Sequence, residues 1–499
     1  MSIVAILFPP IAAAILIGVF LKGRWAAGAT IVSSVVVLAM AARMAWASAA
    51  GDRVDAALTP AWHSWIAVDG LSALILLMIS FVATTAAIYS VGYIGHEHLT
   101  TRKVRVYYAS YNLFVFSMLA IPLLAEPTLV WIAVELTTLT SALLVSFDDT
   151  PQALEAAWKY VVLSLMGAGL ALFGFLVLFA AMRAGGGGDY TWMGLTGSVA
   201  RMPPFLLQSA FLLILIGLGT KVGLVPMHTW LPDAHSQAPS PICALLSGIE
   251  TTAILYVILR LMPIMRQVPA AHADTWAVVL GLLSVGVAAF LLLQVRDYKR
   301  LFAFSTVEHM GVILTGVGLA GAAGDYGAMQ QIVNHSVTKS FCFFAAGAVL
   351  LAAGTREIAA VRGLVRRSPF AGSALVLGGL AIAGAPPFAV FLSEFAILRA
   401  GLAQGKYVAT GLLALFIVIA FFGVMAHVNR MAFGAQTGGA EEEAGEAQDA
   451  APEALPASPI PASCRLAMVL AAIPVIVLGL YVPPPLHDLI AAAAAALGR

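Results

Sequence analysis

Residues 206–226 read LLQSAFLLILIGLGTKVGLVP, an apolar run that carries Lys221 five residues ahead of Pro226. The run is long enough to cross a hydrocarbon layer as a helix, which takes ~20 residues. This stretch therefore places the chain in a membrane. A charge at the bilayer centre costs at least ~2.5–3.5 kcal/mol, and Lys221 lies well inside the run. Proline removes a backbone donor and crowds the preceding turn, which interrupts the helix at depth. A second stretch repeats the combination: Gly384-Ala385-Pro386-Pro387-Phe388 precedes Glu394. Interrupted helices in corresponding positions of two halves mark the transport site in transporters built from inverted repeats. A packing kink beside a snorkelling lysine is the plainer alternative.

The same apolar character extends along the whole chain. Of 499 residues, 61% are hydrophobic and only 10% charged, and the mean hydropathy is +0.95. No soluble core needs so much apolar residue. Apolar runs near 3–21, 27–48, 66–92, 108–125, 127–147, 157–182, 206–226, 240–262, 275–295, 300–322, 327–353, 370–398, 408–429 and 464–483 predict an all-α polytopic membrane protein of about fourteen transmembrane helices. The N-terminus lacks the basic region of a signal peptide, so Ile3–Leu21 reads as a retained first helix. Basic residues gather in the 22–26, 93–107, 296–300 and 354–369 loops. The positive-inside rule assigns those loops to the cytoplasm and both termini to the outside. Residues 435–462, rich in Ala, Pro, Gly and Glu, predict a disordered acidic cytoplasmic loop. Gly185–Gly188 reads as a flexible turn, since no strand precedes it and no Lys-Ser/Thr follows.

Seven ionisable residues in the apolar runs need explaining: Glu135, Lys221, Glu250, His309, His335, Lys339 and Glu394. A series of this kind suggests a path for protons or ions. His335 and Lys339 are four apart and share a helix face, which suits a proton relay and equally suits hydrogen bonding between helices. Glu135 has no basic neighbour in sequence and also suits a structural carboxylate. Glu308 and His309 follow the Arg296–Arg300 cluster by about two turns, which also fits an interfacial position.

Soluble-enzyme constellations are missing: there is no G-x-S-x-G, H-E-x-x-H, C-x-x-C or Walker motif. The net charge of +1 excludes a strongly basic nucleic-acid binder. Cys243, Cys342 and Cys464 are too scattered for a disulfide or metal framework. His228, Asp233 and His235 stand close together, but their proline and loop context favour a rigid membrane-edge turn over a metal site. Sequence thus assigns no cofactor, no metal and no redox centre to this chain, and any driving force must come from a partner or an ion gradient.

The run from Lys221 to Arg260, KVGLVPMHTWLPDAHSQAPSPICALLSGIETTAILYVILR, resembles the proton-conducting membrane subunits shared by respiratory complex I, membrane-bound [NiFe] hydrogenases and multisubunit cation/proton antiporters. WIAVELTTLTSALLVSF, DYKRLFAFSTVEHMGVIL, NHSVTKSFCFFAAGAVL and GAPPFAVFLSEF follow in the family's order. The wording around Lys221–Ser247 and STVEHMG looks most like component F of hydrogenase-4. The resemblance implies two inverted five-helix repeats with broken helices seven and twelve. It divides the chain into N-terminal helices (1–107), a first repeat (108–262), a second repeat (275–430), the acidic loop and a C-terminal helix (464–499). It casts Glu135 as the fifth-helix carboxylate and Lys221 as the lysine of the broken seventh, with their separation or pairing tuning the lysine. His309, His335 and Lys339 become the central axis, and Glu394 the terminal residue of the broken twelfth. Relatives in complex I often carry Lys or His where Thr252 stands here. On a regular helix Glu250 faces about 200° away from Thr252, which leaves open whether the two halves connect.

The implied function is a proton-translocating, antiporter-like subunit of a membrane oxidoreductase complex of the hydrogenase-4 or formate hydrogenlyase type, itself without redox chemistry. Its partners would be other membrane-arm subunits and a peripheral [NiFe] hydrogenase or dehydrogenase module, in a bacterial inner membrane. The alternatives are a complex I membrane-arm subunit, a cation/proton antiporter subunit, an energy-coupling subunit for inorganic-carbon uptake, and a scaffold whose buried charges merely pair.

Overall fold

A backbone surrounded by lipid-like side chains has no partner but itself, and helices satisfy it completely. The computed structural model describes residues 3–51, 65–96, 99–319, 321–435 and 459–498. Among these residues the first half contains α1 (Phe8–Val19, with a 3₁₀ lead-in from Ile3), α2 (Arg24–Ala49), α3 (Gly70–His96), α4 (Thr101–Leu123), α5 (Pro127–Val145) and α6 (Pro151–Ala184). A short α7 (Trp192–Ser198) leads to α8 (Pro204–Val222), α9 (Trp230–Gln237), α10 (Ser240–Leu245) and α11 (Thr251–Met265). The second half holds α12 (Ala273–Leu292), α13 (Tyr298–Gly318), α14 (Ala322–Ala353), α15 (Leu364–Arg367), α16 (Pro369–Ile382), α17 (Ala389–Ala403), α18 (Tyr407–Phe433), α19 (Ala462–Leu480) and α20 (Pro484–Ala495).

The helix starts follow from local chemistry. Thr100, Glu126, Thr150 and Asp297 each accept a backbone N–H of the first turn, and Pro127 and Pro151 occupy first positions where no N–H is needed. Twelve helical segments among the described residues are long and apolar enough to cross a membrane. Two of the fourteen expected spans are shorter, Ile3–Val19 and Pro369–Ile382. Sequence reading missed α7 and α20; the interruptions it expected in the spans with Pro226 and Pro386 are present, with α8 ending at Val222 and α16 at Ile382. The acidic segment lies almost wholly outside the described residues, which resume at Pro459.

Burial separates centre from perimeter. The span Ser240–Met265 is buried along its whole apolar window, whereas only 28% of the window of α18 is covered. Close packing at the centre depends on missing side chains. A Cβ on Gly217 would stand 2.5 Å from the Gly167 carbonyl oxygen and from the Ala171 nitrogen, which brings α8 against α6. Gly281 and Gly311 perform the same service between α12 and α13. Membrane helices use small residues in this way because packing, not water, drives their association.

Candidate proton pathway

The two breaks are closed by one device. At the end of α8, Gly223 takes a left-handed φ of 84°. Leu224 N–H then reaches back to Gly219 O at 2.8 Å and Gly223 N–H to Thr220 O at 3.2 Å. At the end of α16, Gly384 has φ of 74°. Ala385 N–H there bonds Leu380 O at 3.0 Å and Gly384 N–H bonds Ala381 O at 3.4 Å. Both are Schellman closures, in which glycine bears the positive φ. The prolines forbid resumption, but the helices stop earlier, at Val222 and Ile382, because of glycine.

Lys221 sits in the last turn of α8, 1% exposed. Its Nζ donates to Val134 O at 2.6 Å, to Thr137 Oγ1 at 2.8 Å and to Thr138 Oγ1, all on α5. Its ionic partner is Glu250, whose Oε1 lies 3.9 Å away and is equally buried. Glu250 Oε1 also accepts from the Tyr160 hydroxyl at 2.9 Å, and that hydroxyl meets Ser141 Oγ at 2.8 Å. Glu135 is near on the same α5, half-buried, with one oxygen enclosed and unbonded. The resemblance left open whether Lys221 and Glu135 pair or separate; among the described residues the carboxylate in ion-pair distance of Lys221 is Glu250.

Glu250 reaches Lys221 because the eighth span is not a regular helix. Residues Leu246–Glu250 form a π turn. The Thr251 N–H goes five residues back to Leu246 O, so the Ser247 carbonyl loses its usual helical donor. That oxygen accepts instead from His335 Nε2 at 3.0 Å, with help from the Thr251 hydroxyl at 3.1 Å. One π turn thus holds Glu250 toward the first half and Ser247 toward the second, a use to which such bulges are put at functional sites. The expectation built on 100° per residue fails here for that reason. Thr252 is fully buried and its hydroxyl has no partner.

In the second half, His309 and His335 are both fully buried. Their Nδ1 atoms are 3.2 Å apart. Each Nε2 faces a backbone carbonyl, Ile382 O at 3.2 Å from His309 and Ser247 O from His335. A carbonyl only accepts, so both Nε2 atoms donate, and the two Nδ1 atoms of a neutral pair then meet as acceptors. A hydrogen bond between them forms only when the pair holds one further proton. The Gln331 amide nitrogen also approaches His309 Nδ1, at 3.3 Å. Lys339, fully buried, donates to Phe302 O at 2.6 Å and to Ser305 Oγ. Glu308 and Glu394 are 4% exposed. Glu308 and His309 are thus both enclosed by neighbouring helices. The Glu394 carboxylate rests on the bare Cα of Gly384, where a Cβ would stand 2.4 Å from Oε2.

Sequence reading missed Tyr160, Ser141, Gln331, Asn334 and Ser393, polar residues that read as ordinary helix surface. Asn334 Nδ2 ties α14 to the start of α17 through Ala389 O at 2.7 Å. The 228–235 segment, expected as a turn, is helical from Trp230: α9 is anchored by Trp230 Nε1 to Thr220 O at 2.7 Å, and His235 is fully buried. Asp233 is occupied by Lys159 at 3.3 Å and Arg300 at 2.6 Å. Lys299, counted among the loop cations, is 2% exposed and donates to Ala238 O at 2.6 Å.

A helical membrane protein with two glycine-closed breaks and a buried file of acids, histidines and lysines between them defines an antiporter-like membrane subunit. The chain belongs to the NADH:quinone oxidoreductase/Mrp antiporter transmembrane family, whose model matches residues 125–422. Residues 63–102 match the complex I chain 5 N-terminal family. A hydrogenase-4 component F homolog of Methylacidiphilum infernorum is 37% identical over 75% of this chain and 80% of its own length. Hydrogenase-4 component B of Escherichia coli is 30% identical over 66% of this chain, which spans 49% of that protein. Among solved structures, a subunit of the Mrp complex from Dietzia sp. matches with a TM-score of 0.86, covering 99% of this chain and 97% of its own at 21% identity. A subunit of an archaeal membrane-bound sulfane sulfur reductase matches at 0.85, covering 100% and 98%, again at 21% identity. These likenesses establish the fold.

Proposed function

We propose that this chain is a proton-translocating subunit of a membrane-bound oxidoreductase complex, of the hydrogenase-4 or formate hydrogenlyase type, in a bacterial inner membrane. Redox chemistry belongs to partner subunits, and this chain moves protons through Glu135, Lys221, Glu250, the His309–His335 pair, Lys339 and Glu394. The observation that carries the reading is the π turn, which brings Glu250 to 3.9 Å from Lys221 while its Ser247 carbonyl accepts from His335. One element thereby touches both groups of buried charges. The likeness to hydrogenase-4 components supports the choice of complex. The two halves are read as repeats, 108–262 and 275–430, on the strength of their matching glycine-closed breaks.

The test is to tag the chain in its native membrane, solubilise it gently and identify what copurifies. Recovery of further membrane-arm subunits with a [NiFe] hydrogenase or formate-oxidising module supports the reading. Recovery of NADH-oxidising subunits moves the chain to complex I. Recovery of antiporter subunits alone overturns the redox reading and makes sodium/proton exchange the activity to assay.

A further inference from the structure

Three arginines gather where α15, α16 and α18 meet, and the proton pathway uses none of them. Arg362 and Arg366 flank or lie on α15, and Arg430 is in the last turn of α18. Among the described residues none of the three has an Asp or Glu within ion-pair distance. They are also close together. Gly434, four residues past Arg430, packs so tightly that a Cβ on it would stand 2.9 Å from Arg362 Cδ. Burial, and then the like charge of Arg430, lower the Arg362 guanidinium from its ordinary value. Backbone carbonyls hold Arg362 there all the same: it donates to Ile358 O at 2.6 Å and to Val361 O at 3.0 Å. Like charges gathered without a counter-charge repel, so the cluster calls for an anion.

A pocket of about 410 Å³ opens at the same place. Arg366 is its charged wall, Gly363 and Gly434 its bare one, and Val365, Ala432 and Phe433 its apolar one. The Phe433 ring is 62% exposed, and α18, which it ends, is the least covered of the long apolar spans. The basic residues of the 354–369 loop assign this end of the spans to the cytoplasm. Because α16 starts at Pro369 and α18 stops at Phe433, the pocket lies at the level where headgroups meet hydrocarbon. A site with a cationic end and an apolar end on that boundary suits a molecule with the complementary two ends.

We propose that this pocket holds the headgroup of an anionic phospholipid from the cytoplasmic leaflet. The phosphate sits against Arg366 within the field of Arg362 and Arg430, and the acyl chains run along the exposed face of α18. Arginine suits the part, because its planar fork offers paired donors to phosphate oxygens. Free phosphate and the acidic residues that follow Ala435 in the chain, such as Glu441, Glu442 and Glu443, are the rival anions. Neither offers long apolar chains to Phe433 and the bare face of α18. The lipid also has something to brace. A Cβ on Gly372 of α16 would stand 2.6 Å from Val365 Cα, so a headgroup fixed on α15 steadies the start of the span that breaks at Gly384.

The experiment titrates the full-length chain in detergent with dioleoyl phosphatidylglycerol, dioleoyl phosphatidylcholine and glycerol 3-phosphate in turn, counting adducts by native mass spectrometry. Wild type should retain phosphatidylglycerol in preference to both other probes. Arg366→Gln and Arg430→Gln should each weaken that binding about fivefold, and together about 25-fold, the share of a basic side chain beside an anionic lipid surface. Arg366→Lys, which keeps the charge, should lose less than Arg366→Gln. Arg24→Gln is the control, since it removes an exposed arginine from another cytoplasmic loop and should leave binding as it was. Equal affinity for phosphatidylcholine, or an equal loss in Arg24→Gln, overturns the assignment. Glycerol 3-phosphate bound as tightly as the lipid overturns it too, by making the pocket a phosphate site with no use for acyl chains. Wild type that retains no phosphatidylglycerol, the result if the chain's own acids hold the arginines, overturns it as well. Binding is read without turnover, so the outcome is independent of whether the chain moves protons.

Discussion

Removing the Lys221 ammonium leaves the Glu250 carboxylate buried without its counter-charge. Two unit charges 3.9 Å apart attract by about 4 kcal/mol at an effective dielectric of ~20. Breaking one side of a buried pair costs about 3–5 kcal/mol, chiefly because the survivor is stranded. Lys221→Ala should therefore destabilise the protein by about 3–5 kcal/mol. Glu250→Gln should cost less, about 2 kcal/mol, because Lys221 keeps its bonds to Val134, Thr137 and Thr138. In the double variant neither charge remains, so the two losses must not add. The cycle of wild type, both single variants and the double variant, read by SDS-driven equilibrium unfolding in mixed micelles, should return a coupling of about 4 kcal/mol. Proton flux should be absent from all three variants, including the double one whose stability partly recovers. A coupling below ~0.5 kcal/mol, the scatter of independent sites, refutes the pairing and with it the role given to the π turn.

Other consequences can be checked singly. Thr252→Val removes a buried hydroxyl that has no partner, so stability should hold or rise slightly and flux should be unchanged; lost flux would show the path running through Thr252. Gly384→Ala places a Cβ 2.4 Å from Glu394 Oε2 at a φ of +74°. It should cost at least ~1–2 kcal/mol for the backbone alone and lower flux by moving Glu394, with the thermal midpoint and proton uptake as readouts. Asp69, outside the spans, tests pH dependence. Burial acts to raise its carboxyl, and the Arg260 guanidinium with Ser72 outweighs burial, leaving it below the ordinary 3.8. A lowered carboxyl contributes stability that is complete above pH 3.8 and lost as pH falls through the folded value. Thermal midpoints taken downward from pH 6 should drop below about pH 4 in wild type and less steeply in Asp69→Asn; parallel curves would contradict the pairing.

Hydropathy made the spans legible because each residue's transfer cost is local: each of the fourteen apolar runs holds helix. The breaks were visible through Pro226 and Pro386, yet the residues that end the helices are Gly223 and Gly384, whose φ depends on a closure no composition displays. The site was legible as a set of expensive charges and illegible as a set of pairs. Glu250 looked misdirected because its orientation comes from a π turn, a change of register that tertiary contacts select. His235 and Lys299 read as loop residues, since nothing in HTWLPDAHS or RDYKR states that neighbouring helices enclose them. Sequence left open whether Glu135 and Lys221, eighty-six residues apart, pair; only packing shows that the π turn brings Glu250 within 3.9 Å of the lysine.

The most direct measurement is proton uptake per redox turnover in liposomes carrying the purified complex, wild type against Lys221→Ala. Proton translocation through this chain predicts that the variant assembles and turns over while its proton-to-electron ratio falls. An unchanged ratio in the assembled Lys221→Ala complex would mean that the buried charges serve only to hold the fold together.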